Sequence, residues 1–278
     1  VLAYLTGMHS DREVSYRMKP QPSGLASLCK LPGRTGGKRR FARRPMGLLR
    51  ALAAAAALAL PLAPVAWAGS PVLVELFTSQ GCSACPPADE MLTELAKRDD
   101  VVALALHVDY WDYIGWKDGF AIPGHTARQK GYAKAAGTRM IYTPHMVVDG
   151  KDHVTGTKPA PVNALIEAHK AEAEAVDLSV EKTANGLRIR ASAGAPLGRE
   201  AVVQVLRYIP SRKVEIQRGE NAGKTITYAN IVSGWDYREN WDGAAPLDVN
   251  VPLAGKGPAV VIIQEAGYGP VLAVSRIH

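Results

Sequence analysis

Cysteine is scarce in this sequence, with 3 among 278 residues, and no second C-x-x-C or paired-histidine spacing accompanies Cys82 and Cys85. A structural zinc site needs two more ligands than that pair supplies, so the sequence argues against one. A basic surface for nucleic acid is missing as well. The formal charge of +7 comes from residues 1–68, which hold 11 basic and 2 acidic side chains, leaving 22 basic against 24 acidic in the rest. No nucleic-acid partner is expected. Beyond residue 68 there is no internal repeat or low-complexity tract. At 47% hydrophobic and 21% charged residues, the chain is neither wholly disordered nor a multi-span membrane protein. Its length exceeds one typical domain of about 100–150 residues, which suggests two.

What is there begins with an apolar run, Leu48 to Ala66, preceded by Arg43 and Arg44 and ending at Ala66-Trp67-Ala68. A basic start, an apolar stretch and an A-x-A site read as a secretory signal cut after Ala68. Residues 1–45 have no hydrophobic periodicity and read as an over-long gene start, with the initiator nearer Met46 or Met18. The run would anchor the chain in a membrane only if left uncleaved, since about 20 residues suffice to span one. Residues 1–68 are thus expected to be a leader, Cys29 to be lost with it, and the protein to be periplasmic or secreted. The two cysteines left over are an even count in an oxidising compartment, where they can pair with each other.

The remaining chain divides in character near residue 175. Pro71 to Phe77 and Val101 to Val108 are nearly continuous apolar runs, the mark of strands buried on both faces. Between them Pro86-Pro87 suits a first helical turn, and Ala88, Met91, Leu92 and Leu95 form a stripe. Helices are expected at 125–136 and 159–175, with strands at 146–150 and 151–155. Residues 69–175 therefore predict a mixed α/β domain. From Val176 onward helix signals vanish. Strands are expected at 177–183, 186–193, 200–208, 213–218, 224–233, 247–252, 258–265 and 271–277, so residues 176–278 predict an all-β sandwich of immunoglobulin-like type.

Cys82-Ser83-Ala84-Cys85 follows a strand and opens a helix. At that place helical N–H groups and the helix dipole stabilise a thiolate, lowering its pKa from about 8.5 towards ~3.5–7.5. Cys82 is then the exposed nucleophile and Cys85 the resolving thiol that closes on a mixed disulfide. Three other readings of the pair stay open: a structural staple, half of a zinc site, and a copper site completed by His107 or His145. The loop Gly219 to Thr225 superficially resembles a phosphate loop, but it has three residues between its glycines and a β-patterned sequence after it, so nucleotide binding is rejected. Trp111 sits in an aromatic loop with Tyr110, Tyr113 and Trp116. Exposed, this loop would be a floor for peptide substrates; folded inward, it would cap the sheet end.

The strand, the C-x-x-C helix and the later Tyr142-Thr143-Pro144 resemble a thioredoxin-like fold. More narrowly, Phe77 to Asp89, His107 to Asp112, Gly115 to Asp118, Arg128-Gln129, Arg218 to Gly223 and Thr227-Tyr228 are similar to the DUF1223 family of secreted proteins, over about residues 70–275. The resemblance implies a thioredoxin-like domain followed by the sandwich, with a cis bond at Thr143-Pro144 beside the cysteines that presents backbone to an incoming chain. It places His145 at the substrate surface where glutamine is the family's expected residue. It also implies a buried carboxylate under the resolving cysteine, for which Glu75 is the candidate; its other reading is an acid paired with a basic side chain. The function expected is a thiol–disulfide oxidoreductase without bound cofactor or metal, acting on protein thiols or disulfides and served by an unknown redox partner. The site would comprise Cys82, Cys85 and Glu75 for catalysis, with Thr143, Pro144, His145 and Trp111 for substrate. The rivals are a copper metallochaperone using the same thiolates and a non-catalytic interaction module.

Overall fold

In the computed structural model of the chain, residues 70–253 and 257–277 are described. The expected leader, its expected cleavage site and Cys29 lie outside them. Among the described residues no helix is long and apolar enough to cross a membrane.

The apolar runs form the strands expected of them. β1 (Val72–Thr78) and β2 (Val101–His107) are buried at every position and pair in parallel, Val72 opposite Val101 and Thr78 opposite His107. The three helices, α1 (Pro86–Leu95), α2 (Pro123–Ala135) and α3 (Pro159–Lys170), each start on a proline, whose fixed φ and absent N–H fit a first turn. β3 (His145–Val148) runs antiparallel to β1, and β4 (Asp152–Thr155) pairs with β3. Next come β5 (Val176–Thr183), β6 (Gly186–Ala193), β7 (Ala201–Glu215), β8 (Thr225–Trp241), β9 (Leu247–Pro252), β10 (Ala259–Glu265) and β11 (Val271–Ile277).

The expected fold class is overturned by how these strands join. An eight-stranded mixed sheet, in the order β11-β10-β7-β8-β2-β1-β3-β4, takes strands from both halves, and only β5-β6-β9 form a separate sheet. The seam is β2 against β8, parallel at Ala105 and Ile231, where the Asn230 side chain donates to the Ala103 carbonyl at 2.9 Å. The core crosses the seam too. Leu73, Phe77, Leu104 and Leu106 share one cluster with Leu206, Tyr208, Ile262 and Val274. One face of the β1–β2–β3 layer thus packs against one face of the β7–β10–β11 layer, and the sheet folds back on itself. This is neither a thioredoxin-like α/β domain nor an immunoglobulin-like sandwich beside it. The other face of β1–β2–β3 is covered by α1 and α3 through Leu76, Leu92, Val162 and Ile166. The three-stranded sheet covers the outer side of β7–β10–β11 through Ile189, Val203, Val261 and Trp241.

The two strands expected at 200–208 and 213–218 are one. β7 runs unbroken through an exposed Pro210, paired with β8 as a long hairpin. Opposite that proline, Asn230 takes a left-handed φ of +46°, a conformation its short amide side chain tolerates. The tip of this hairpin, residues 216–224, reaches the cysteine pair.

Candidate functional site

After β1 the chain turns sharply. The N–H of Cys82 donates to the Ser79 carbonyl at 3.1 Å, and that of Cys85 to the Cys82 carbonyl at 3.2 Å. Cys82 and Cys85 are joined as a disulfide, with their Cα atoms 5.4 Å apart. Cys85 is the N-cap of α1 and carries no side-chain cap. The amides expected around Cys82 are not supplied by the helix: Pro86 and Pro87 have no N–H, while those of Ala88 and Asp89 donate to the Cys85 carbonyl at 2.8 and 3.1 Å. What the helix end still offers is its axial dipole.

Cys82 is not exposed, contrary to the expectation for a nucleophile; it is 1% accessible, and Cys85 is sealed completely. Ile114 and Trp111 close in at Gly81, where a Cβ would lie 3.1 and 3.2 Å from their side chains. On the other side, the Asn221 amide donates to the carbonyls of Gln80 and Cys82, both at 2.9 Å, and the N–H of Ser83 donates to Glu220 at 3.3 Å. Gln80 is fixed further, its N–H donating to Asp118 and its side-chain oxygen accepting from the Trp116 indole, each at 2.8 Å.

The expected substrate residues divide. The Thr143-Pro144 bond is cis, and the Thr143 hydroxyl accepts from the Trp111 indole at 2.8 Å, which brings these two residues to the same side as Gly81. Trp111 is half-buried and stacks on Tyr113, which is 80% exposed, so the aromatic loop is partly a cap and partly a surface. His145 is not on that surface. It is buried against Phe77, Tyr142 and His153, its Nε2 lies 3.0 Å from His153 Nδ1, and burial pushes its pKa down to about 4.

Glu75 is also buried, but as the partner of a basic side chain. Its carboxylate accepts from Arg128 at 2.6 and 2.8 Å and from the Tyr132 hydroxyl at 2.5 Å. It belongs to the row of Leu73 and Phe77, facing α2, whereas α1 packs on the row of Val74 and Leu76. Opposite faces of the sheet therefore separate Glu75 from the cysteine helix, and the proton-relay role expected of it falls away.

The residue that sequence reasoning missed is Asp89, one helical turn after Cys85. It is buried, its Oδ1 accepts from the Thr78 hydroxyl at 2.8 Å, and its Oδ2 has no partner. Burial pushes its pKa up to about 7 against the opposing pull of His107 and the Thr78 hydroxyl. His107 Nε2 and the Tyr228 hydroxyl, whose rings are 4.8 Å apart, are likewise buried and unpartnered. His107 Nδ1 is 2.7 Å from Asp118. An available signal was the spacing: positions 85, 88, 89 and 92 lie on one helix face, so an acid among Cys85, Ala88 and Leu92 has to be buried. Among the described residues, no group of three or more histidine, cysteine or acidic side chains is arranged to hold a metal ion. A copper site would have to rest on the two sulfurs alone.

Fold and site define a class: a folded-back mixed sheet that holds a C-x-x-C disulfide at a strand-to-helix turn, beneath the tip of a long hairpin. The family model described as "Protein of unknown function (DUF1223)" matches residues 73–264, and the chain belongs to that family. Among solved structures it is similar to a protein from Agrobacterium tumefaciens determined by X-ray crystallography in a structural-genomics programme, with 33% identity and a TM-score of 0.65 over 74% of this chain and 93% of that one. HBP35 of Porphyromonas gingivalis is similar in fold alone, at 14% identity and a TM-score of 0.53 over 74% of each chain. No curated protein matches the chain.

Proposed function

We propose that this protein is a thiol–disulfide oxidoreductase, exported from the cytoplasm, that exchanges electrons with protein thiols through the Cys82/Cys85 couple. The observation that carries this reading is the pairing of a small disulfide ring at the N-terminus of α1 with a buried, half-partnered carboxyl one turn behind it. Oxidation of a substrate runs in two displacements. A substrate thiolate attacks Cys82 Sγ, forming a mixed disulfide and breaking the Cys82–Cys85 bond, and the Cys85 thiolate leaves with the electron pair. A second substrate thiolate then attacks the substrate sulfur of the mixed disulfide and expels the Cys82 thiolate. Two electrons pass from the substrate dithiol to the pair, and the reverse sequence reduces a substrate disulfide. Asp89, with its pKa about 7, is poised to give or take the Cys85 proton near neutrality. Export rests on the leader sequence, and Trp111 with Thr143 lines the approach.

Serine variants test the reading. With a disulfide-bearing protein substrate, the Cys82 thiolate of the Cys85→Ser protein should displace one substrate thiolate and accumulate a mixed disulfide visible on a non-reducing gel, and the Cys82→Ser protein should form none. Wild-type turnover by both variants would overturn it.

A further inference from the structure

Exchange at Cys82 needs a route to a residue that is 1% exposed. The backbone around it is held by the distant half of the chain, the 216–224 tip of the β7–β8 hairpin. The tip has a built shape. The N–H of Ile216 donates to the Lys224 carbonyl at 2.9 Å, that of Gly223 to the Ile216 carbonyl at 2.8 Å, and Lys224 Nζ to Asn221 Oδ1 at 2.8 Å. Gly219 and Gly223 take left-handed φ values of +78° and +82°. Two of its side chains, Ile216 and Asn221, are buried; Arg218, Glu220 and Lys224 stay exposed. The contacts it makes are specific. The Cys82 carbonyl, held by Asn221, and the Ser83 N–H, held by Glu220, belong to one trans peptide unit, so the tip grips both edges of the backbone that follows the attacking sulfur.

We infer that the hairpin tip is a lid occupying the ground of the substrate, and that Asn221 is the positioning residue that sets access to Cys82. The amide N–H that the tip gives to the Cys82 carbonyl is what an extended polypeptide backbone also supplies along that edge. A cysteine-bearing segment of extended chain can therefore displace the tip and replace its bond to Cys82 in kind, which makes unfolded or extended polypeptide the substrate class. The inference rests on the redox reading of the cysteine pair.

The test is the rate at which dithiothreitol reduces the Cys82–Cys85 disulfide in the full chain, and the rate of its reoxidation by oxidised dithiothreitol. Asn221→Ala removes both hydrogen bonds from Asn221 to the cysteine turn and the one from Lys224 within the tip, and should raise both rates about tenfold, with their ratio, and so the reduction potential, held to within about twofold. Glu220→Ala, at an exposed residue, removes the one bond to the Ser83 N–H and should raise both by a smaller factor. Rates within about twofold of wild type in both variants would overturn the lid, as would acceleration in one direction only, which marks a change in disulfide stability. If both rates rise but the serine variants show no exchange with protein thiols, the cover stands, while the redox reading and the substrate class built on it fall. If exchange is intact and neither variant is accelerated, the redox reading stands and the lid falls.

Discussion

Glu75 and Asp89 are both sealed inside the same β1–α1 unit, on opposite sides of it, and the protein treats them differently. On the α2 side, Glu75 has two bonds from Arg128 and one from Tyr132, and Arg128 is within reach of Gln264 at 3.1 Å and Gln204 at 3.4 Å. Each charge in that group is matched and hydrogen-bonded, which is the condition for keeping an ionised carboxylate in a core. On the α1 side, Asp89 has one hydroxyl and a bare oxygen. A carboxyl left half-partnered resists ionisation and moves its titration into the neutral range. The contrast is between matched and unmatched burial: the matched acid ties β1 and α2 to β7 and β10, and the unmatched one, a helical turn after Cys85, has its pKa pushed up to about 7.

The largest effect should come from breaking the matched side. Arg128→Met leaves Glu75 as a lone buried charge and should cost about 3–5 kcal/mol in urea unfolding. A loss under about 1 kcal/mol would place the pair among weak, solvated ones. The Asp89 side should answer in the opposite sense. Its folded pKa of about 7 exceeds the ordinary 3.8, so the folded state binds more protons than the unfolded between those limits. The stabilisation is complete below about pH 4 and is lost as pH rises to about 7 and beyond. Asp89→Asn should remove that slope and gain roughly 2–4 kcal/mol over wild type at pH 8, with little change at pH 4. Parallel pH profiles for the two proteins would show that Asp89 ionises freely.

Smaller effects sharpen the same comparison. A Cβ at Gly131 would come within 2.3 Å of the Tyr268 ring, which itself packs on Tyr132. Gly131→Ala should therefore cost about 1–3 kcal/mol despite the better helix propensity of alanine. A stabilised variant would mean that Tyr268 moves aside freely. The exposed pair Arg188–Asp248, bridged at 2.8 and 2.6 Å, is the solvated counterpart of Arg128–Glu75. Arg188→Ala should leave the urea unfolding midpoint essentially where it is in the wild type, and a clear loss would show the pair to be more than a solvated one.

Much of the local structure could be read in the residues. Continuous apolar runs became β1 and β2, prolines opened the helices, and Cys82 and Cys85 fell at the strand-to-helix turn. What could not be read was pairing at a distance. Nothing near Ala105 announces that Ile231 lies beside it, so two halves with different local patterns look like two architectures when they share a sheet. The strands expected at 200–208 and 213–218 are joined through Pro210, where on an exposed stretch of β7 the missing N–H costs little. Glu75 entered through the family resemblance, as a proton acceptor or else as an acid paired with a basic side chain; only the fold shows that Arg128 is its partner. Asp89 escaped notice because an acid early in a helix ordinarily faces water and favours the dipole. His145 looked available from its place after Pro144, and the pairing of β3 with β1 turned it inward.

The seam between β2 and β8 bears on the lid in a way that distance along the chain conceals. The strand that leaves the tip at Thr225 is the one that meets β2 at Ile231 and hangs an amide on the Ala103 carbonyl through Asn230. That join ties the hairpin to β2 a few residues from the tip that holds the Cys82 turn. Loosening Asn230 would then tune how readily the disulfide is uncovered without altering an atom that touches it.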